Sequence, residues 1–154
     1  HKRREMLRIA YGDIIRSQNI RTVTQQISYL ADALIESAVR FAHRHVAQRR
    51  GVPRRGDGQP ARFAVLALGK LGGEELNYSS DIDLMLVGND LSYGDVVEAL
   101  LPLEDMLQRS INPTIFNKED FIAKLNADSS FLTRVMEQPK ILIKGDEHDI
   151  GETG

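Results

Sequence analysis

Residues 62–87 read RFAVLALGKLGGEELNYSSDIDLMLV, and this stretch decides the fold. An apolar run, FAVLAL, precedes the pair Gly72-Gly73, a polar spacer, and a second apolar run that opens with Asp81 and Asp83. Short apolar runs bounded by glycine are typical of buried strands. Because side chains at i and i+2 lie on one face of a strand, we expect Asp81 and Asp83 to project together while Ile82 enters the core.

The two aspartates are the best candidates for a metal site. Two carboxylates on one face repel each other unless a cation lies between them, and such oxygen ligands suit Mg²⁺ or Mn²⁺. The glycine pair would let backbone N–H groups approach a phosphate closely. A phosphate-binding turn that leads into a metal-binding strand is the layout needed for nucleotidyl transfer. The alternative is a pair of strands whose turn carries solvated acids.

The remaining chain shows helical and extended patterns in alternation. Apolar spacing predicts helices over residues 3–16 (with Gly12 as a weak point), 22–49, 93–109, 118–126 and 131–137. It predicts strands over residues 63–68, 81–87, 111–116 and 140–144, with a turn at 71–73. Pro102 should kink or split its helix, and Pro113 should place its strand at an edge or a bulge. The expected fold class is α+β.

Composition and charge divide the chain into four segments. We expect a helical leader (1–48), a basic Gly/Pro/Arg linker (49–61), a mixed-sheet core (62–145) and an acidic, disordered tail (146–154). Residues 1–61 carry 12 Lys+Arg against 5 Asp+Glu, whereas residues 62–154 carry 8 against 17. Under one interpretation, the two oppositely charged halves dock on each other or are solvated faces. Under the other, the basic residues 1–61 form an arm that binds a partner or the phosphates of a nucleotide. The two-helix leader cannot bury its apolar stripes alone, so it must pack on the core or on further chain.

Several functional classes are disfavoured by composition. The 154 residues include no cysteine and no apolar run of about 18 residues, which argues against disulfides and a membrane span and favours a cytoplasmic location. His43 and His45 are two positions apart on a predicted helix and cannot share a metal ion. Nucleic-acid binding is disfavoured because the arginines of the leader are not interleaved with aromatic residues.

The segments GKLGGEELNY (69–78) and SDIDL (80–84) resemble the signature of glutamine synthetase adenylyltransferase, within the DNA polymerase β-like nucleotidyltransferase superfamily. The leader resembles the helical region before that signature, so the similarity covers about residues 1–88. It implies transfer of AMP from Mg-ATP to a tyrosine of glutamine synthetase, or removal of that AMP by phosphorolysis. It also implies that Asp81 and Asp83 are catalytic metal ligands and that Gly72, Gly73 and Ser80 contact the nucleotide.

The second half departs from that family pattern. Residues 83–149 resemble a minimal or antitoxin-type nucleotidyltransferase in the pieces LMLVG, INPTIF, FLTRV and PKI, and the family's arginine-rich strand with a third carboxylate is missing. A natural mosaic, a fusion and an engineered chimera all fit this pattern. The superfamily's third acid would fall at Asn112, whose neutral amide can coordinate a metal but cannot act as a base. The alternative function is therefore a catalytically weak or inactive interaction module with a toxin as its partner.

Overall fold

The computed structural model describes residues 2–52, 54, 57–77, 79–127, 130–146 and 150, apart from the side chains of residues 45, 46, 50 and 130. The helices are α1 (Lys2–Ile14), α2 (Ile20–Arg50), α3 (Gly69–Gly72), α4 (Tyr93–Leu107), α5 (Lys118–Asn126) and α6 (Ser130–Glu137). The strands are β1 (Phe63–Leu68), β2 (Ile82–Gly88), β3 (Ile111–Phe116) and β4 (Ile141–Lys144). No helix in these ranges is both long enough and apolar enough to cross a membrane.

The four strands form one mixed sheet in the order β3-β2-β1-β4. Strand β1 runs antiparallel to β2 and β4, whereas β2 and β3 are parallel. Strand β3 lies at the edge, as predicted from Pro113, because a proline without an N–H is tolerated where one side of the strand has no partner. The helices and the mixed sheet confirm the predicted α+β class.

Both faces of the sheet are covered by helices. Side chains of β1 and β2 alternate between two apolar clusters, one shared with α1, α2 and α4 and the other with α5 and α6. From β1 and β2, the residues of the first cluster are Val65, Ala67, Ile82, Leu84 and Leu86, and those of the second are Ala64, Leu66, Met85 and Val87. This two-sided burial explains why both strands read as continuous apolar runs rather than as alternating ones.

The leader packs directly on the core. Val23, Ile27, Ala31 and Ile35 recur every four residues along α2 and are at most 3% exposed, in the same cluster as Val65. Full burial of a Val or Ile side chain stabilises a fold by about 1.5–3 kcal/mol. The leader's apolar stripe therefore contributes to the same core that supports β1, as its need for a partner predicted.

One local prediction was wrong, and two helices continue through residues that disfavour helix. The turn expected at residues 71–73 is replaced at residues 71 and 72 by the end of one helical turn, α3, and Gly69 at the start of α3 has a positive φ of 56°. Gly12 does not break α1, where it is buried against Gln18. Pro102 lies inside α4 without splitting it, and the predicted kink stays a prediction.

Packing explains the continuity of α4. Leu100, Leu103 and Leu107 are all buried along the inner face of this helix. Their burial on both sides of Pro102 outweighs the hydrogen bond that the proline removes, a loss that costs about 3 kcal/mol in a helix interior.

Several described residues of the linker and the tail have defined contacts. Within the linker, Arg54 forms a β-bridge with Pro60. In the tail, Asp146 makes an ion pair with Arg62 at 2.7 Å, and Ile150 is only 2% exposed in the second apolar cluster. The predicted disorder is thus wrong at these two tail residues, while residues 147–149 and 151–154 lie outside the described part.

Candidate functional site

The two predicted aspartates lie at the start of β2. Asp81 immediately precedes the strand and Asp83 is its second residue. Both are exposed, whereas Ile82 and Leu84 are buried. The predicted alternation therefore holds, although the strand begins at Ile82 rather than at Asp81. Burial of Ile82 and Leu84 in the core leaves the intervening carboxylate at the surface.

Asp83 lies between residues of the two neighbouring strands. It pairs with Leu68 of β1 and with Asn112 of β3. The Nδ2 of Asn112 donates a hydrogen bond to the Oδ1 of Asp83 at 3.3 Å. Because β2 and β3 are parallel, their first residues lie side by side at the same end of the sheet. Asn112 therefore lies beside Asp83. Its role as a metal ligand stays a prediction.

In the described part of the chain, no third acid joins this pair. Among the described residues, no group of three or more His, Cys, Asp or Glu side chains is placed to hold a metal ion. The nearby Glu104 uses its Oε1 to accept the backbone N–H of Ile111 at 2.6 Å. It borders, with Asn112, a surface cavity of about 210 Å³ beside β3. The Glu104 carboxylate thus caps the edge strand.

Gly69 is a site residue that sequence reasoning missed. A Cβ at this position would lie 2.9 Å from the Oδ2 of Asp83, and the φ of +56° disfavours any other residue. Glycine therefore leaves room for the carboxylate of Asp83. The sequence does place Gly69 immediately after the predicted strand β1. A neighbouring strand that runs antiparallel to β1 would bring its first residues, which carry the acids, close to Gly69.

The predicted glycine pair has tight internal contacts. A Cβ on Gly72 would lie 2.5 Å from the carbonyl oxygen of Pro139 and 2.8 Å from that of Ala67, so this glycine permits close backbone packing. The N–H of Gly73 donates to the carbonyl of Gly69 at 3.0 Å. Contact of either glycine with a phosphate stays a prediction, and the Gly73 amide would have to share or exchange its present acceptor.

Ser80 closes a tight turn directly before Asp81. Its side chain is buried, and its hydroxyl donates to the Oδ1 of Asn77 at 2.8 Å while accepting the Asn77 N–H at 3.2 Å. The backbone N–H of Ser79 donates to the same Oδ1 at 3.0 Å. These bonds give Ser80 a clear role in shaping the turn, and its predicted contact with a nucleotide stays a prediction.

Arg109 is the second residue that sequence reasoning missed. Its Nη1 donates to the carbonyl oxygen of Ser80 at 2.7 Å. Burial lowers the pKa of the Arg109 guanidinium, and the negative charge of Asp81 opposes that effect. The arginine therefore holds the loop before β2 and supplies positive charge near Asp81. Only the parallel pairing of β2 and β3 brings the residues preceding these strands together.

Comparison with known proteins agrees with the motif. Residues 1–94 match the family described as glutamate-ammonia ligase adenylyltransferase. The chain belongs to this family. The matched segment contains the leader, α3 and both aspartates, and it ends before Asn112. Family membership thus rests on the part of the chain that carries the acids.

Three curated relatives share the name bifunctional glutamine synthetase adenylyltransferase/adenylyl-removing enzyme. The Thioalkalivibrio sulfidiphilus protein is 42% identical over 84 residues, which are 54% of this chain and 9% of the relative. The Methylococcus capsulatus protein is 45% identical over 84 residues, again 54% and 9%. The Idiomarina loihiensis protein is 39% identical over 98 residues, 64% and 10%. The chain therefore spans about a tenth of the length of these relatives.

Proposed function

We propose that this chain carries an adenylyltransferase-type nucleotidyltransferase site, which transfers AMP from Mg-ATP to a protein hydroxyl or performs the reverse phosphorolysis. The observation that carries the proposal is the exposed pair Asp81 and Asp83 at the start of β2, with Gly69 leaving room for one carboxylate. The names of the relatives suggest glutamine synthetase as the acceptor protein and its adenylylation state as the regulated property. We propose a tyrosine as the hydroxyl.

The side chains at the site fit Mg²⁺ or Mn²⁺. Asp81 and Asp83 are exposed carboxylates, and a half-turn of the Asn112 amide about its Cβ–Cγ bond would present an oxygen in place of Nδ2. Hard cations of this kind prefer such oxygen ligands and share them with substrate phosphates. When bound, Mg²⁺ would neutralise phosphate charge, including that which develops on the leaving pyrophosphate.

The protein's own residues would bind and orient the reactants. Asp81 and Asp83 supply the negative charge that would hold the metal ion, which in turn would bind the triphosphate. Arg109 holds the loop that carries Asp81. Asn112 cannot accept a proton from the attacking hydroxyl because an amide has no basic group at neutral pH. With no third acid grouped at the site among the described residues, we expect nucleotide binding to be retained better than turnover.

Titration calorimetry with ATP in the presence and absence of Mg²⁺ tests the site. Replacing both acids, as Asp81→Asn/Asp83→Asn, should abolish Mg²⁺-dependent ATP binding because the metal loses both of its charged ligands. A matched control, Asp90→Asn/Glu98→Gln, removes the same charge from exposed positions outside the site and should bind like the wild type. Equal ATP binding by the Asp81/Asp83 variant would show that these carboxylates do not hold the metal.

One observation favours a second candidate function. The neutral Asn112, which is hydrogen-bonded to Asp83, occupies the position of the expected third acid. A site with an amide at this position would bind the nucleotide but catalyse its transfer inefficiently. The chain would then be a catalytically weak or inactive interaction module. Incubation with α-labelled ATP and purified glutamine synthetase separates the two functions, since label on the acceptor excludes the inactive module. The names of the relatives give no support to a toxin partner.

A further inference from the structure

Three polar residues of α2 face the loop that precedes the acids. Gln25, Ser28 and Tyr29 have the spacing i, i+3, i+4, which places them on one side of the helix. They contact Glu74 and Leu76 in the loop of residues 73–77 and 79–80, called here the acid-leading loop. The leader, which is distant in sequence, is therefore tied by hydrogen bonds to the segment that delivers Asp81.

Ser28 makes the buried contact of this set. The residue is 0% exposed, and its hydroxyl accepts the backbone N–H of Leu76 at 3.1 Å while donating to the carbonyl of Thr24 at 3.0 Å. Buried backbone N–H groups are costly to leave without an acceptor. The Leu76 N–H therefore depends on Ser28, and loss of the hydroxyl would favour opening of the loop at this point.

Glu74 has an unusual backbone for its residue type. The N–H of Glu75 donates to the Lys70 carbonyl at 2.7 Å and that of Glu74 to the Leu71 carbonyl at 3.0 Å, the Schellman pattern at a helix end. Glycine is usual at the left-handed position of this motif, yet Glu74 occupies it with a φ of +57°. The backbone at Glu74 is therefore strained relative to a glycine at the same position.

The carboxylate of Glu74 provides the second tie to α2. Its Oε2 accepts a hydrogen bond from the Nε2 of Gln25 at 2.7 Å and another from the Tyr29 hydroxyl at 3.4 Å. These contacts compensate for the strained backbone by holding the loop against the helix. The far end of the loop is already closed by Ser80 and held by Arg109, so the α2 contacts complete its restraint.

We propose that α2 is a positioning element of the acidic site. Gln25, Ser28 and Tyr29 are positioning residues that keep the acid-leading loop in one conformation and so set Asp81 relative to Asp83 for binding Mg-ATP. The nucleotide part of this inference rests on the proposed function. The order of the loop and the affinity for the nucleotide are measured separately, so a failure of the positioning role can be told apart from a failure of the proposed function.

Ser28→Ala tests the buried contact, and Ser37→Ala is its matched control. Ser37 lies on the same helix and makes the same type of bond, to the Ala33 carbonyl at 2.8 Å, but it is exposed. By NMR, amide exchange at Leu76 should be faster by at least about tenfold in Ser28→Ala and unchanged in Ser37→Ala. The Kd for Mg-ATP should rise about three- to tenfold only in Ser28→Ala, because fewer molecules hold the competent loop.

Glu74→Gly separates positioning from stability. Glycine suits the positive φ, so this variant should be as thermally stable as the wild type or more so, yet it should bind Mg-ATP about three- to tenfold more weakly. The control is Asp90→Gly, which relieves a similar φ of +59° beyond the other end of β2 and should leave the Kd unchanged. A merely structural role for Glu74 predicts no difference between the two variants in affinity.

The outcomes are distinct. Unchanged Leu76 exchange in Ser28→Ala, or wild-type affinity in both Ser28→Ala and Glu74→Gly, would overturn the positioning role. If the wild-type chain itself fails to bind Mg-ATP, the proposed function is refuted, while faster exchange at Leu76 would still support the structural restraint by α2. If Ser28→Ala does not fold, the Kd of Glu74→Gly for Mg-ATP decides the question, since glycine favours the positive φ observed at position 74.

Discussion

Replacing Asn112 by aspartate would add a third carboxylate beside Asp83, and its cost should depend on whether a divalent cation is present. The Nδ2 of Asn112 lies 3.3 Å from the Oδ1 of Asp83. Two unit charges at that separation repel by about 1.3 kcal/mol even at the dielectric constant of water. The lost hydrogen bond adds about 0.5–1.5 kcal/mol, so we expect Asn112→Asp to lower the free energy of unfolding by about 2 kcal/mol without metal.

Thermal unfolding at pH 7 with EDTA and with Mg²⁺ measures this effect. A loss of about 2 kcal/mol corresponds to a Tm lower by roughly 4–8 °C in a chain of this size. Because the third carboxylate tightens Mg²⁺ binding, Mg²⁺ at about thirty times the Kd of Asn112→Asp, but below the Kd of the wild type, would return about 2 kcal/mol to the variant alone by binding its folded state. The Tm difference between Asn112→Asp and the wild type should therefore nearly vanish in Mg²⁺, and AMP transfer should increase.

Two controls separate charge from hydrogen bonding. Asn112→Ala removes the hydrogen bond without adding charge, so its smaller loss should not respond to Mg²⁺. Thr114→Asp adds a carboxylate at another exposed position of the same strand, opposite Met85 rather than Asp83, and should not respond either. If Asn112→Asp keeps the wild-type Tm in EDTA, or if Mg²⁺ restores all variants equally, position 112 does not face a metal site.

Two further predictions concern packing and charge. Gly72→Ala should lower the free energy of unfolding, measured in urea, by about 1–3 kcal/mol, because the new Cβ would lie 2.5 Å from the Pro139 carbonyl oxygen. Gly73→Ala should be nearly neutral, because the atom nearest to its Cβ would be 3.5 Å away. Equal losses in the two variants would contradict this explanation. Burial, and then the charge of Glu36, raise the pKa of Asp32, so the folded state binds more protons and stability falls as pH rises between the ordinary and the raised pKa. Asp32→Asn should therefore be more stable than the wild type by a few tenths of a kcal/mol at pH 7 and equal to it below about pH 3, and a stabilisation that persists at pH 3 would refute this cause.

Local sequence patterns predicted most elements because the forces that form them act within a few residues. The apolar runs of β1 and β3 were predicted with their observed bounds. The helix predicted over residues 118–126 has those bounds in the structure, and the side chain of Asn117 caps it by accepting the Glu119 N–H at 3.0 Å. Helices α1 and α4 continue through Gly12 and Pro102 because tertiary burial outweighs a local preference against helix.

The candidate site could be predicted only in part. Asp81 and Asp83 follow from the i, i+2 pattern, and their exposure follows from the burial of Ile82. Gly69 and Arg109 were not found, because their contacts depend on which strand lies next to β2 and in which direction it runs. The internal packing of Gly72 was not found for the same reason, since its neighbour Pro139 is far away in the sequence.

The sequence by itself determined the α+β pattern, the pair of acids after the glycine turn, the resemblance of residues 1–88 to one family, and the amide at position 112. The tertiary structure decided that β2 and β3 are parallel, which brings Asn112 to Asp83 and Arg109 to the loop before Asp81. It also decided that α2 holds the acid-leading loop through Ser28. Periodicity reports which face of an element is buried, whereas strand order and long-range hydrogen bonds arise only when the whole chain is packed.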